Sequence, residues 1–456
     1  MAGKNTDNSI DMLHGPLAGK IVRFALPVAA TSILQQLFNS ADLAVVGRFD
    51  SSTAMAAVGS NAALINLLIS LFAGLALGAT VVIAALIGSG RRDAVSAAVH
   101  TSMELALITG FAMLAVGEIL APVLLKMMNT PDDVLEMATL YLRIYFLIMP
   151  FFQIYNFGSS ILRAKGDSKR PLYALIVSGV INVALNIAFV VGLGWGVAGV
   201  AIATLIANIA SSLVVLHYLM TEEEPFRFSP RRMHMQPDIL RRIIGVGAPA
   251  GIQGMVFSIS NVVIQSGINS FGAASIAGNT AAQNFEYICY FVINGFAQAA
   301  TTFTSQNFAA GKPARCRESS RWSALIGMGI TIAVSIVFYA GRHVFILFFT
   351  EDPEVIRYAM IRFRYIVIFE FMTGTYEISG GCLRGMNHSL LPSIITVLGS
   401  CVFRLVWNAT VFQAFHTMDV LLIEYLISWI ITGTAMNIAC FRIRKKEFAR
   451  IEQNEA

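Results

Sequence analysis

Residues 162–171, LRAKGDSKRP, have a counterpart at residues 383–392, LRGMNHSLLP, which begins 221 positions later (383 against 162). Three further pairs of landmarks keep nearly the same offset: Pro27 with Pro249, Gly59 with Gly278, and Gly90 with Gly311. An offset that recurs along a chain indicates an internal duplication. The sequence therefore predicts two similar halves, joined by the polar segment TEEEPFRFSPRRMHMQPD at 221–238.

The composition is that of an integral membrane protein. Of the 456 residues, 56% are hydrophobic and 13% are charged, whereas soluble domains carry roughly 25% charged residues. Apolar runs long enough to cross a hydrocarbon core of about 30 Å recur along the whole chain. We predict an all-α protein with twelve transmembrane helices, near 20–47, 54–88, 97–124, 135–161, 170–192, 196–219, 242–271, 275–309, 322–349, 356–383, 390–413 and 419–441.

Six spans in each half is an even number, so the two halves have the same orientation and form parallel repeats. We assign a cytoplasmic N-terminal segment, an N-lobe, a cytoplasmic linker, a C-lobe and a cytoplasmic tail to residues 1–19, 20–220, 221–240, 241–443 and 444–456. Pro27 and Pro249 lie in the first span of each half, where a proline removes one backbone hydrogen bond and favours a kink. We interpret the pair as gating positions, with an inert kink as the alternative.

The basic residues predict the orientation. With twelve spans, 24 of the 32 lysines and arginines fall on one side, while Arg48, Lys126, Arg342, Arg357, Arg362 and Arg364 fall on the other. The positive-inside rule then places both termini in the cytoplasm of a multi-pass plasma-membrane protein. Because the charge is spread over short loops, the net charge of +5 indicates topology and not a nucleic-acid partner.

Several classes of protein lack support in the sequence. The segment GPLAGKI at 15–21 is too short between its glycines to be a phosphate-binding loop, and no protease or hydrolase motif occurs. The five cysteines show no CxxC spacing, and the polar N-terminus has no apolar stretch with a cleavage site. We therefore expect no enzyme activity, no cofactor, no metal, no disulfide and no cleaved signal peptide.

The first span carries an acid in its outer half. Gln35, Asn39 and Asp42 follow the i, i+4, i+7 spacing of one helical face. A carboxylate inside a bilayer costs at least about 2.5 kcal/mol, so such a residue normally faces a cavity, a partner or a proton. We expect Asp42 to bind an ion or a proton; a structural hydrogen bond to a neighbouring helix is the alternative.

Spans five and six bring further polar groups to the same depth. At 1.5 Å per residue, Asn186 and Thr204 both lie in the outer half, with Asn182 on the same face as Asn186. Together with Asp42 they suit a proton held by hydrogen bonds or a hard cation held by oxygens. Asparagine and threonine also join membrane helices without any further role, and that reading stays open.

We expect polar side chains of both halves to line or support a substrate cavity, namely Gln35, Asn39, Asn156, Gln283, Tyr287, Glu370 and Glu377. On span eight, Gln283 and Tyr287 share a polar stripe with Glu286, which indicates a wet cavity or a buried network. Counting from the span ends gives Glu370 and Arg404 similar depths. An ion pair between these two is therefore the favoured interpretation.

The twofold repeat, the stretch DLAVVGRF…AMAAVG at 42–59 and the segments SSILRAKGDSKRP and GGCLRGMNHSLLP resemble the multidrug and toxic compound extrusion (MATE) family. The resemblance covers about Gly15 to Lys446. It implies an ion-coupled exporter of amphipathic, often cationic compounds, in which two six-helix lobes surround a central cavity and alternate in access. The implied partners are small-molecule substrates and the lipid bilayer, and the implied oligomeric state is a monomer.

The resemblance also implies a coupling site at Asp42, Asn182, Asn186 and Thr204. Asn186 departs from that pattern, which has a second acid at this place. Losing one negative charge weakens a sodium site more than a proton site, so protons are favoured and sodium is the alternative. No acid occurs between Gln253 and Gln265 on span seven, where other branches place one.

One rival function belongs to the same superfamily, namely a flippase for lipid-linked oligosaccharides or lipids. A flippase must neutralise a pyrophosphate, which calls for several arginines or lysines in the cavity. The spans offer mainly Arg143 and Arg404, against several acids and amides. The sequence therefore favours a cationic substrate, exported in exchange for an ion.

Overall fold

The computed structural model describes residues 9–49, 52–127 and 132–455. Residues 1–8 of the predicted N-terminal segment and Ala456 of the predicted tail lie outside these ranges. Every regular element within them is helical, which is the all-α architecture that the apolar runs predict.

The first half of the chain forms six long helices: α1 Ala18–Phe49, α2 Ser52–Gly88, α3 Arg92–Met127, α4 Asp132–Lys165, α5 Lys169–Asn186 and α6 Gly196–Met220. A π-helical segment, Ile187–Gly192, continues α5. Pro27 lies inside α1 and does not end it. The predicted boundaries of these spans differ from the observed ones by a few residues, mostly because the helices extend beyond the apolar core.

The second half is more interrupted. Its helices are α7 Pro237–Asn269, α8 Ala273–Ala309, α9 Pro313–Ala340, α10 Arg342–Leu347, α11 Pro353–Tyr365, α12 Gly374–Gly385, α13 Leu390–Thr396, α14 Phe403–Ala409, α15 Val411–Ala414 and α16 Met418–Glu455. A 3-10 segment, Val367–Thr373, lies between α11 and α12, and a π-helical segment, Val397–Val402, lies between α13 and α14. Pro249 lies inside α7.

Ten helical stretches in the described ranges are long and apolar enough to cross a membrane. The two other predicted spans, 275–309 and 356–383, correspond to α8 and to the stretch from α11 to α12. The first carries amide side chains along its length, and the second is broken by the 3-10 segment and contains buried charges. Amide side chains thus mark the first of these two spans, and a 3-10 interruption with buried charges marks the second.

The chain folds into two compact units. Of the described residues, unit one contains those in 9–10, 30–87 and 91–244, and unit two contains those in 11–29, 88–90 and 245–455. The first third of α1 therefore packs with the second half of the chain, while the part that carries Asp42 packs with the first half. The assignment of residues 20–220 and 241–443 to two membrane lobes stays a prediction.

Unit one has two apolar cores at different levels of its helices. One contains Ala79, Val99, Ile161 and Val215. The other contains Val46, Leu142, Met149, Val190 and Val200, and brings α1, α4, the π-helical segment and α6 together. The second core surrounds the level at which Asp42 occurs on α1.

Unit two is built around α8, against which α9, α11 and α12 pack. Glycines allow the closest of these contacts, because a Cβ on Gly381 would lie 2.7 Å from the carbonyl oxygen of Ala297, and one on Gly385 would lie 2.6 Å from that of Thr301. Small residues four positions apart are a common means of close helix approach in membranes. The backbones of α8 and α12 are therefore in direct contact.

Candidate functional site

Asp42 is the centre of a buried polar cluster in unit one. Its side chain accepts hydrogen bonds at both oxygens, from Asn186 Nδ2 at Oδ1 and from Thr204 Oγ1 at Oδ2, 3.1 Å away. The residue is 7% exposed. α1, which is distant in sequence, thus meets the consecutive helices α5 and α6 at one carboxylate.

Asn182 completes the cluster. Its Oδ1 accepts from Asn186 Nδ2 at 3.2 Å, and its Nδ2 donates to Thr204 Oγ1 at 3.3 Å. The two asparagines are one turn apart on α5, so they present their amides on the same face. The structure therefore brings together all four residues of the predicted coupling site, while their role in coupling stays a prediction.

Two properties of this cluster bear on its chemistry. Within the described ranges, no lysine or arginine lies within ion-pair distance of Asp42, and Asn186 Oδ1 is buried and receives no hydrogen bond. An ionised Asp42 would thus be a buried negative charge balanced only by dipoles, which is costly in hydrocarbon. A proton or a small cation at this carboxylate removes that cost.

Two tyrosines on α4 lie within electrostatic range of Asp42, namely Tyr141 and Tyr145. Their rings are tilted against one another at a centroid distance of 6.2 Å. Tyr141 also belongs to the apolar core at this level. Helical spacing could not predict these two residues, because they lie on α4 and not on the polar face of α1.

The other candidates in unit one do not join the cluster. Gln35 is half-buried and Asn39 is exposed, and neither makes a hydrogen bond with the described residues. Asn156 donates within α4 to the carbonyl of Phe152, 2.9 Å away. None of these three side chains makes a hydrogen bond with Asp42.

Unit two contains a second buried cluster, which differs from the predicted one. Arg404 does not pair with Glu370: its Nε donates to Ser428 Oγ at 3.0 Å, and its guanidinium lies 4.0 Å from the ring centroid of Tyr425. Glu370 is buried, and its Oε2 has no hydrogen-bond partner among the described residues. The predicted Glu370–Arg404 ion pair is wrong.

The ion pair that does form joins Arg362 of α11 to Glu286 of α8, with Nε and Oε2 2.6 Å apart. Arg362 also donates to Asn279 Oδ1 and is 1% exposed. Placing Arg362 among the charges of the outer loops was therefore incorrect. A buried arginine of this kind requires a buried carboxylate, and the polar stripe on α8 supplies one.

Glu424 on α16 is a further buried acid that the sequence analysis missed. It is 0% exposed, accepts from Asn408 Nδ2 at 2.8 Å, and leaves Oε1 without a hydrogen bond from the described part of the chain. A signal was present, since Glu424, Ser428 and Thr432 follow at i, i+4, i+8 and are all buried. That spacing predicts a buried polar face.

The charges of this second cluster do not cancel. Glu286, Glu370 and Glu424 face two guanidiniums, those of Arg362 and Arg404, and these groups interact electrostatically. With both arginines charged, the set is neutral only when one carboxyl is protonated. The other predicted candidates of unit two are not among these five charged groups: Gln283 and Glu377 are half-buried, and Tyr287 stacks on Phe291 with centroids 6.0 Å apart.

A duplicated, all-helical protein with membrane-spanning helices and a buried carboxylate has the features of a secondary transporter. The MatE family model matches residues 27–188 and again residues 249–410. The two matches are 222 positions apart (249 against 27), which confirms the predicted duplication. The chain belongs to the MatE family, that of the multidrug and toxic compound extrusion transporters.

Relatives of known name span nearly the whole chain. It is 28% identical over 450 residues to the probable multidrug resistance protein YoeA of Bacillus subtilis, covering 94% of this chain and 95% of that protein. It is 27% identical over 420 residues to the probable multidrug resistance protein NorM of Thermotoga maritima, covering 90% and 88%.

A solved structure supports the fold. This chain is similar to a multidrug resistance MATE family transporter of the MOP superfamily in an outward-facing conformation, with a TM-score of 0.87, 23% identity and coverage of 97% of this chain and 98% of that one. With the family match, this likeness confirms the predicted architecture of two six-helix repeats in a multi-pass membrane protein.

Proposed function

We propose that this protein is a secondary active exporter that carries amphipathic organic cations out of the cell in exchange for protons, with Asp42 as the coupling carboxylate. The observation that carries the proposal is the buried Asp42 with two hydrogen-bond donors and no ion-pair partner among the described residues. Because the ionised form of such a group is costly in a membrane, the arrival or departure of a proton at Asp42 changes the free energy of the site strongly.

The hydrogen-bond arrangement favours a proton over sodium. Both oxygens of Asp42 accept from donors, so the cluster already supports a carboxylate without a metal ion. The amide of Asn186 that donates to Asp42 also carries Oδ1, which is buried and receives no hydrogen bond from the described residues, so this amide has an unused acceptor for a proton in the cluster. Sodium would need several oxygens turned towards it, and here the amide nitrogens of both asparagines point into the cluster.

The substrate class rests on two supports. The named relatives are described as probable multidrug resistance proteins, and three carboxyl groups face two arginines in the second cluster of unit two. A negative excess attracts organic cations and repels anions. We further propose that the protein works as a monomer in the plasma membrane, with both termini in the cytoplasm, and that its two repeats alternate in access.

Transport in proteoliposomes tests the function. Purified protein is reconstituted with a fluorescent cationic dye, and a pH gradient or a sodium gradient is imposed separately. We expect dye movement against its gradient when the pH gradient drives it, and little movement with sodium alone. Liposomes without protein give the background. Strong sodium-driven transport without any response to the pH gradient would contradict proton coupling.

A further inference from the structure

Unit two contains a cavity of about 440 Å³ that the transport site does not use. It lies between α9, α12 and α16, near the ends of these helices that the positive-inside rule assigns to the cytoplasm. Three arginines line it: Arg317 and Arg321, one turn apart on α9, and Arg444 on α16. Arg444 is distant in sequence from Arg317 and Arg321, and the three guanidiniums thus converge on one concave surface.

The positive charge of this cavity is largely uncompensated. No carboxylate is among its lining residues. Arg317 has a single, distant ion pair with Glu452, at 3.9 Å between two exposed side chains, which is worth little in water. Within residues 9–49, 52–127 and 132–455, neither Arg321 nor Arg444 has an ion pair or a side-chain hydrogen bond. The cavity therefore presents charged donors to an anion.

Hydroxyl and amide groups surround these arginines. Ser320, Thr375, Ser379 and Asn437 also line the cavity. Ser379 and Asn437 are held in place, because Ser379 Oγ donates to Asn437 Oδ1 at 2.8 Å and Asn437 Nδ2 donates to the carbonyl of Thr375 at 3.0 Å. Neutral polar groups beside guanidiniums are typical of sites that bind phosphate oxygens.

The deeper part of the cavity is apolar. Ala324, Met328 and Ile378 line it, and Met328 lies about 16 Å along α9 from Arg317. α9 and α16 are both candidate membrane spans, so this apolar part lies at the level of lipid acyl chains. A small soluble anion would gain nothing from it, whereas a molecule with a charged head and an apolar tail would contact both parts.

We propose that this cavity binds an anionic phospholipid of the inner leaflet, with its phosphate at Arg317, Arg321 and Arg444 and an acyl chain along Ala324 and Met328. Basic pockets between membrane helices on the cytoplasmic side are a general means of binding anionic headgroups. Topology alone requires only that arginines occur near the helix ends; it does not require them to converge on one cavity with an apolar floor. The proposal is independent of the transport function.

Native mass spectrometry tests the proposal. The full-length protein in detergent is titrated with dioleoylphosphatidylglycerol or with dioleoylphosphatidylcholine, and bound lipids are counted. We expect preferential binding of phosphatidylglycerol, and a loss of about tenfold in apparent affinity in the double variant Arg321→Gln/Arg444→Gln. The matched control is Arg91→Gln/Arg92→Gln, which removes two exposed arginines from the same predicted side of the membrane and should leave lipid binding unchanged.

Two further variants separate the sources of an anion and guard against misfolding. Arg321→Lys/Arg444→Lys keeps the charge and should retain most of the binding. Ala324→Phe fills the apolar part and should lower phosphatidylglycerol binding while the arginines remain. If Ala324→Phe has no effect and inorganic phosphate displaces the lipid, the site is one for soluble anions and the proposal is wrong. Equal binding of both lipids, or equal losses in the Arg91/Arg92 control, would also overturn it.

Discussion

The ring of Phe38 on α1 occupies the space beside Gly179 on α5, so that a Cβ on Gly179 would lie 1.7 Å from Cζ of Phe38. Phe38 is one turn before Asp42, and Gly179 is about one turn before Asn182. The missing side chain therefore lets α1 and α5 approach closely enough for their polar groups to form hydrogen bonds. The packing of Phe38 against Gly179 therefore sets the distance between α1 and α5 one turn further along, where the hydrogen bonds of Asp42 form.

Gly179→Ala should lower both stability and transport. The added methyl group cannot fit beside Phe38, and overpacking of this kind typically costs about 1–3 kcal/mol of the free energy of unfolding. The Tm in detergent and dye transport in proteoliposomes measure the two effects, and Gly179→Ala/Phe38→Leu should recover part of both. Gly329→Ala is the control, because a Cβ there meets nothing within 4 Å. Equal effects of the two glycine variants would contradict this prediction.

Asp42→Asn should abolish export against a gradient while the protein still folds and inserts. The substitution keeps the size of the side chain but removes its ability to gain and lose a proton. Proteoliposomes with an imposed pH gradient measure the loss. Glu136→Gln, the same change at an exposed acid on α4, should transport normally. Full activity of Asp42→Asn would move coupling to another acid, with Glu370 or Glu377 as the next candidates.

Asn186→Asp should make dye export depend on sodium. Asn186 donates to Asp42, and two carboxylates at hydrogen-bond distance cannot both be ionised without a proton or a cation between them. Export measured with and without sodium, at a fixed pH gradient, tests this. Asn208→Asp is a suitable control, because Asn208 donates to the carbonyl of Thr204 and not to Asp42. A parent protein that already depends on sodium would contradict the proton model.

Arg362→Leu should strongly destabilise unit two, because it leaves Glu286, whose side chain is only 12% exposed, as an unpaired carboxylate. Breaking a buried pair on one side typically costs about 3–5 kcal/mol, while replacing both partners is far less damaging. The yield of monodisperse protein and its Tm should therefore fall in each single variant and recover in Glu286→Leu/Arg362→Leu. The two single variants and the double variant form a double-mutant cycle, and the same three substitutions at the exposed pair Glu354–Arg357 provide the control. Additive losses in the buried cycle would show that the two residues do not interact.

The orientation of the chain is open to cysteine labelling. The five natural cysteines are buried, so an impermeant thiol reagent reports mainly on introduced ones. Cysteines at the exposed positions Pro16, Arg231 and Lys445 should react only from the cytoplasm, and one at Glu351 only from outside. Labelling of Arg231→Cys from outside would contradict the model of twelve spans and parallel repeats.

The cluster at Asp42 was predictable because the helices that carry it are regular up to that level. A constant rise of 1.5 Å per residue along α1, α5 and α6 places Asp42, Asn186 and Thr204 at one depth, and the hydrogen bonds confirm that they meet. Helical spacing could not show that, among the described residues, Asp42 has no lysine or arginine beside it, because the residues beside Asp42 also depend on how α4 packs against α1.

The same count fails in the second half because the helices there are irregular. The 3-10 segment Val367–Thr373 contains Glu370, and the π-helical segment Val397–Val402 comes just before Arg404. These geometries differ from the α-helix in rise and in turn per residue, so both the depth and the direction of each side chain depart from the expected values. The failed Glu370–Arg404 pair follows from this. Arg362 was misassigned because an arginine near a predicted loop resembles a topology signal.

The contact of α8 with α12 through Gly381 and Gly385 limits how the second repeat can deform. Helices whose backbones touch have no intervening side chains that can change rotamer, so neither can slide past the other without losing contacts along both backbones at once. We expect the two helices to stay together throughout a transport cycle. They offer a fixed frame of reference within unit two, against which the displacement of any other helix, followed by a pair of spectroscopic probes, can be measured.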